Sequence, residues 1–76
     1  MRRQEQERAL SSMIGQRIRT VRQSRQLTQA GFGEALGVSQ QTVARWESGQ
    51  KRISAPTVCL VAEALHINPS EIIDVL

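Results

Sequence analysis

Residues 29–46 read QAGFGEALGVSQQTVARW, and the fold turns on how this stretch divides. Thr28 offers a hydroxyl N-cap to a segment in which Phe32, Ala35 and Leu36 recur on one helix face, and Gly37 ends it after barely two turns. Ser39 caps a second segment that turns Val43 and Trp46 inward and stops at Gly49. Gly37 allows the left-handed backbone of a tight turn, and Gly33 is expected to remove a side chain where the two helices cross closely. Gly31 and Gly33 each cost about 1 kcal/mol relative to alanine inside a helix. The first segment therefore cannot stand alone and must be held by its neighbours.

On the N-terminal side, Leu10, Ile14, Ile18 and Val21 share one face of a helix expected from about Ser12 to Gln26. The preceding MRRQEQERA has no apolar face, so residues 1–12 are an arm that either frays or prolongs the helix through pairs such as Arg3 with Glu7. On the C-terminal side, QKRI is a basic turn. Ser54 caps a fourth helix that tolerates Pro56 in its first turn and places Val58, Val61, Ala62 and Leu65 inward. Asn68, Pro69 and Glu71 supply a cap, a first-turn proline and a reciprocal acid for a short helix through Leu76. Strand patterning is absent, so the chain reads as all-α, with residues 13–76 forming one five-helix domain.

A length of 76 residues leaves no room for a second core. With 39% apolar and 22% charged residues the chain is too apolar for a disordered one, and it has no run long enough to span a membrane. One cysteine, Cys59, and one histidine, His66, make neither an internal disulfide nor a tetrahedral zinc site, so no metal or cofactor is expected. Cys59 flanks the inward stripe of the fourth helix and reads as a small core residue; His66 reads as its C-cap in place of a left-handed glycine. The N-terminus has no apolar h-region, and a disulfide-free thiol-bearing chain fits the cytoplasm. Nothing assembles a reaction: there is one histidine, no glycine-rich phosphate loop after a strand and no pair of acids in a cleft, so enzymatic activity is not expected.

Charge is divided along the chain. Residues 1–52 carry all ten cations against four carboxylates, a balance of +6, whereas residues 53–76 carry three carboxylates and no cation, a balance of −3. Nine of the ten cations are arginine, the side chain suited to planar contact with phosphates and base edges. An anionic partner follows, although charge alone is equally compatible with a solvated surface.

Two short helices around a glycine turn, with these paired apolar positions, have the spacing of a helix-turn-helix. In this stretch, in the following ESG and in VAEALHINPSEI, the chain resembles the Xre-type helix-turn-helix regulators, the family of lambdoid phage repressors and Cro, over about residues 13–73. The resemblance implies a five-helix lambda-repressor-like DNA-binding domain. Independently, successive residues of a helix turn by about 100°, so Gln41, Ala44, Arg45 and Ser48 lie opposite Val43 and Trp46, and Gln40 projects past the helix start. Glutamine pairs bidentately with adenine and arginine with guanine in the major groove.

The resemblance further implies that Gln40, Gln41 and Arg45 read bases and that Gln29, Lys51 and Arg52 hold backbone phosphates, with Thr42 and Ser48 of the same helix assigned to phosphate beside them. It also implies a buried ion pair, Arg22 with Glu47, tying the first helix to the third. Lys51 and Arg52 also admit a reading as idle surface charges. Trp46, larger than the family's usual aliphatic, reads as core because of its spacing from Val43.

The function expected is a sequence-specific double-stranded DNA-binding regulator, repressor or autoregulator. One unit covers too few base pairs for selectivity, so a homodimer on a palindromic operator is expected. Ile72, Ile73, Val75 and Leu76 either form its seam or complete the core. With no sensor domain in this stretch, a small-molecule ligand is not expected. The alternative is a protein-interaction module of the same fold, antitoxin or adaptor, whose DNA contact is secondary.

Overall fold

The computed structural model describes residues 2–73, which form five helices: α1 (Arg3–Ser24), α2 (Gln29–Leu36), α3 (Gln40–Ser48), α4 (Ala55–Leu65) and α5 (Ser70–Ile73). Local chemistry sets most of their ends. Thr28, Ser39 and Ser54 accept hydrogen bonds from the backbone N–H groups of Gly31, Thr42 and Thr57, each covering one of the donors a helix start leaves unpaired. Gly37 (φ 75°) ends α2 and Gly49 (φ 80°) ends α3 in the left-handed region. His66 closes α4 at φ 59°, a conformation that usually falls to glycine. At α5 the Glu71 carboxylate accepts from the Asn68 N–H at 2.8 Å, the return half of a capping box.

The core is built from one or more residues of every helix: Ile18, Phe32, Val43, Trp46, Val58, Val61, Ala62, Leu65 and Ile72. The short helices α2 and α3 pack against each other, and α3 also lies along α1. Arg17 of α1 and Arg25 at its C-cap reach across to the C-terminal elements. Arg17 Nη1 donates to the Glu71 carbonyl at 3.1 Å and Arg25 Nε to the Leu65 carbonyl at 3.1 Å, which satisfies a C-terminal carbonyl of α4. Among the described residues, no helix is long and apolar enough to cross a membrane.

Several sequence expectations are corrected. α1 runs unbroken from Arg3, the second of the two forms expected for the arm, with Arg3 and Glu7 paired at 3.4 Å, but it ends at Ser24 rather than Gln26, because Gln26 adopts φ 59°. Leu10 is exposed: α3 ends beside Ser12, where the Ser12 Cα lies 2.9 Å from a Cβ built on Gly49, so α1 overruns its partner before reaching Leu10. Ala35 is exposed because α2 turns Phe32 and Gly33 inward, and Ala35 lies on the far side of Phe32 from Gly33. Cys59 is exposed as well, since Val58 and Val61–Ala62 face the core and Cys59 falls with Leu60 on the opposite side. Ile72 is fully buried while Ile73 is exposed, and the expected positions Val75 and Leu76 lie outside the described residues.

Besides Gly49 against Ser12, two glycines serve close approach, one of them in an unexpected place. A Cβ on Gly33 would sit 2.7 Å from the Val38 carbonyl oxygen, so Gly33 makes room for the backbone of the turn rather than for a helix crossing. The tight helix crossing is at Gly15 of α1, where a Cβ would collide with the Trp46 carbonyl oxygen and lie 2.7 Å from that of Glu47.

Candidate functional site

Burial of Val43, Trp46 and Glu47 orients α3, and the remaining face follows from helical geometry. Gln40, Gln41, Arg45 and Ser48 are exposed, Thr42 and Ala44 are half-buried, and the turn beyond α3 exposes Lys51 and Arg52. The three side chains expected to read bases therefore lie on one outward surface that continues into the basic turn.

Behind that surface, Arg22 and Glu47 are 6% and 7% exposed and form a bidentate pair, Nε to Oε2 at 2.6 Å and Nη2 to Oε1 at 3.0 Å. Arg22 Nη1 also donates to the Leu27 carbonyl at 2.6 Å, in the link between α1 and α2. One side chain thus fixes α1, the start of α2 and α3 relative to one another. Desolvation offsets much of the attraction, so the pair sets orientation more than it adds net stability.

The pair extends outward through Gln29, a half-buried residue at the start of α2. Gln29 Nε2 donates to Glu47 Oε1 at 3.1 Å, and Gln29 Oε1 accepts from Gln40 Nε2 at 2.7 Å. A carboxylate only accepts, so Glu47 dictates which end of the Gln29 amide faces it, and Gln29 in turn dictates the orientation of Gln40. One N–H of Gln40 and its Oε1 have no hydrogen-bond partner among the described residues. That is the donor–acceptor combination needed for adenine N7 and N6.

The residues expected at phosphates are held differently from one another. Lys51 is exposed and unpaired among the described residues. Arg52 Nη2 contacts Glu7 Oε2 at 2.8 Å, one half of an exposed ion pair with α1. The Thr42 and Ser39 hydroxyls are 3.0 Å apart within the N-cap, and the Ser48 hydroxyl donates to the Arg45 carbonyl at 3.1 Å. The residues missed by sequence reasoning are Gly15, Arg25 and the Glu7 partner of Arg52. Gly15 alone left a signal, since a glycine in mid-helix needs a packing reason to offset its cost. Among the described residues, no group of three or more His, Cys, Asp or Glu side chains is placed to hold a metal ion.

The family model described as Helix-turn-helix matches residues 18–72. An HTH-type transcriptional regulator of Sinorhizobium fredii, y4aM, is 37% identical over 62 residues, covering 82% of this chain and 43% of the relative. The chain thus spans less than half the length of that protein. Among solved structures, the restriction-modification controller protein C.AhdI from Aeromonas hydrophila superposes with a TM-score of 0.81 at 31% identity, over 86% of this chain and 94% of that one. The P22 c2 repressor protein in complex with a synthetic operator superposes with a TM-score of 0.74 at 26% identity, over 80% and 92% of the two chains.

Proposed function

The chain belongs to the helix-turn-helix regulator family, of Xre and lambda-repressor type, and from that premise we propose that it reads double-stranded DNA with α3 in the major groove. Residues 13–76 are the binding unit and residues 1–12 its arm. Gln40, Gln41 and Arg45 contact base edges; Gln29, Thr42, Ser48, Lys51 and Arg52 line the backbone path, and Arg22–Glu47 holds the frame. The observation that carries this reading is the outward set Gln40, Gln41 and Arg45, one member of which is oriented from behind by Gln29 and Glu47. The P22 repressor, similar over most of this chain, is held on an operator.

The protein acts as a cytoplasmic repressor or autoregulator by occupying its operator, without catalysis. Two copies bind a palindrome with half-sites about one helical turn apart. The test is the salt dependence of duplex binding by the full chain. A regulator gripping several phosphates loses affinity with a log–log slope near −0.9 per phosphate neutralised. Binding that is weak at low salt and flat across the titration sinks the proposal and favours a protein partner.

A further inference from the structure

The first turns of α1 overrun α3 and leave a groove of about 650 Å³ between them and the Ser48–Arg52 turn. Residues 3–11 bury no apolar side chain, so hydrophobic packing does not explain why this overhang is there. Its chemistry is more informative. Glu7, Arg8 and Ser11 line one wall, and Ser48, Gln50 and Arg52 line the other. Apart from Glu7, and from Ser48, whose hydroxyl proton goes to the Arg45 carbonyl, each of these side chains can donate to an anionic oxygen. Glu7 is the groove's carboxylate, and it is held by Arg52 at 2.8 Å and by Arg3 at 3.4 Å. Arg8 has no hydrogen bond or ion pair among the described residues, and Arg52 remains 78% exposed despite its pair.

From this arrangement we infer that the groove takes a phosphodiester of the duplex flanking each half-site, with Arg8 and Arg52 as its cations and Glu7 as a built-in counter-ion that the phosphate displaces. The inference rests on α3 reading DNA, because the groove adjoins the C-terminal end of that helix. An exposed ion pair is weak, so a phosphate held by two guanidinium groups competes with Glu7 effectively. Glu7 thereby limits affinity for every sequence alike and leaves base preference untouched. It keeps the overhang from gripping DNA indiscriminately.

The test compares the full chain with its Glu7→Gln and Arg8→Ala variants on two duplexes, one carrying the site that the parent enriches from a pool of random duplexes, with long flanks, and one trimmed to that site. Both residues sit on an overhang outside the core, and matched helicity and Tm confirm that the fold is kept. On the flanked duplex, Glu7→Gln is expected to tighten binding by up to about fivefold, the ceiling for an exposed ion pair. Between 50 and 200 mM salt, Arg8→Ala is expected to lose about 3.5-fold less affinity than the parent, the consequence of one phosphate contact fewer. Both differences vanish on the trimmed duplex. Variants that match the parent on the flanked duplex, while the parent still binds specifically and with steep salt dependence, overturn the groove but not the role of α3. A parent that binds no duplex overturns both. Tripolyphosphate supplies the same chemistry as a free ligand: if it raises the Tm of the parent but not of Arg8→Ala, and duplex binding is unchanged by either substitution, the site belongs to a small anion and the duplex assignment falls.

Discussion

Replacing Gly15 by alanine sets two effects of similar size against each other. In an exposed helix the substitution gains about 1 kcal/mol, because glycine loses more conformational freedom on folding. Here the added Cβ meets main chain, colliding with the Trp46 carbonyl oxygen and lying 2.7 Å from that of Glu47. Neither oxygen belongs to a side chain that can rotate away, so α1 and α3 must move apart. Two helical turns along the same face, the same movement pulls on Arg22–Glu47 bonds of 2.6 and 3.0 Å. Overpacking a filled interior costs about 1–3 kcal/mol, and with backbone on both sides the upper end applies. Set against the propensity gain, the net loss is about 2 kcal/mol, a large share of the roughly 4–11 kcal/mol available to a chain of this size. Near Tm this lowers the midpoint by about 8–16 °C. Urea unfolding followed by circular dichroism measures the loss, with the exposed Gln16→Ala as a control expected within about 0.5 kcal/mol of the parent. A Gly15→Ala variant as stable as the parent refutes the close crossing.

Glu47→Ala strands the buried Arg22 guanidinium and removes the acceptor that orients Gln29; a loss of about 3–5 kcal/mol is expected, and chemical denaturation showing less than about 0.5 kcal/mol rejects the buried pair. Gln41→Ala or Arg45→Ala costs about 1–3 kcal/mol at the cognate duplex and blurs preference at one base pair. Lys51→Ala weakens cognate and unrelated duplexes by the same factor, and equilibrium titrations of both duplexes separate the two patterns.

What the sequence made legible was governed by short-range chemistry. Thr28, Ser39 and Ser54 act within three residues, Gly37 and Gly49 act on their own φ, and the inward rows of α3 and α4 repeat at the helical period. These cues located α2, the turn and α3, and so the outward Gln40, Gln41 and Arg45. Contacts between distant residues were less accessible. Gly15 carries a constraint imposed by a backbone more than thirty residues away, and Glu7 meets Arg52 across 45 positions. Nothing local to either residue encodes those meetings. Ala35, Cys59 and Leu10 were misplaced for a related reason: a helix face is buried only as far as another element covers it, and helical periodicity carries no information about coverage. The Arg22–Glu47 pair came from the family resemblance. The extension of that pair through Gln29 to Gln40 joins residues 11 and 18 positions apart and leaves no periodic mark in the sequence.

Enrichment of bound duplexes from a random pool, run with the full chain and repeated with Gln40→Ala, Gln41→Ala and Arg45→Ala, bears most directly on whether α3 reads bases. The expected outcome is a motif of two inverted half-sites about one helical turn apart, with each variant losing preference at its own position and Arg45→Ala releasing a guanine. A pool that enriches no motif, or three variants that all recover the parent's motif unchanged, contradicts it.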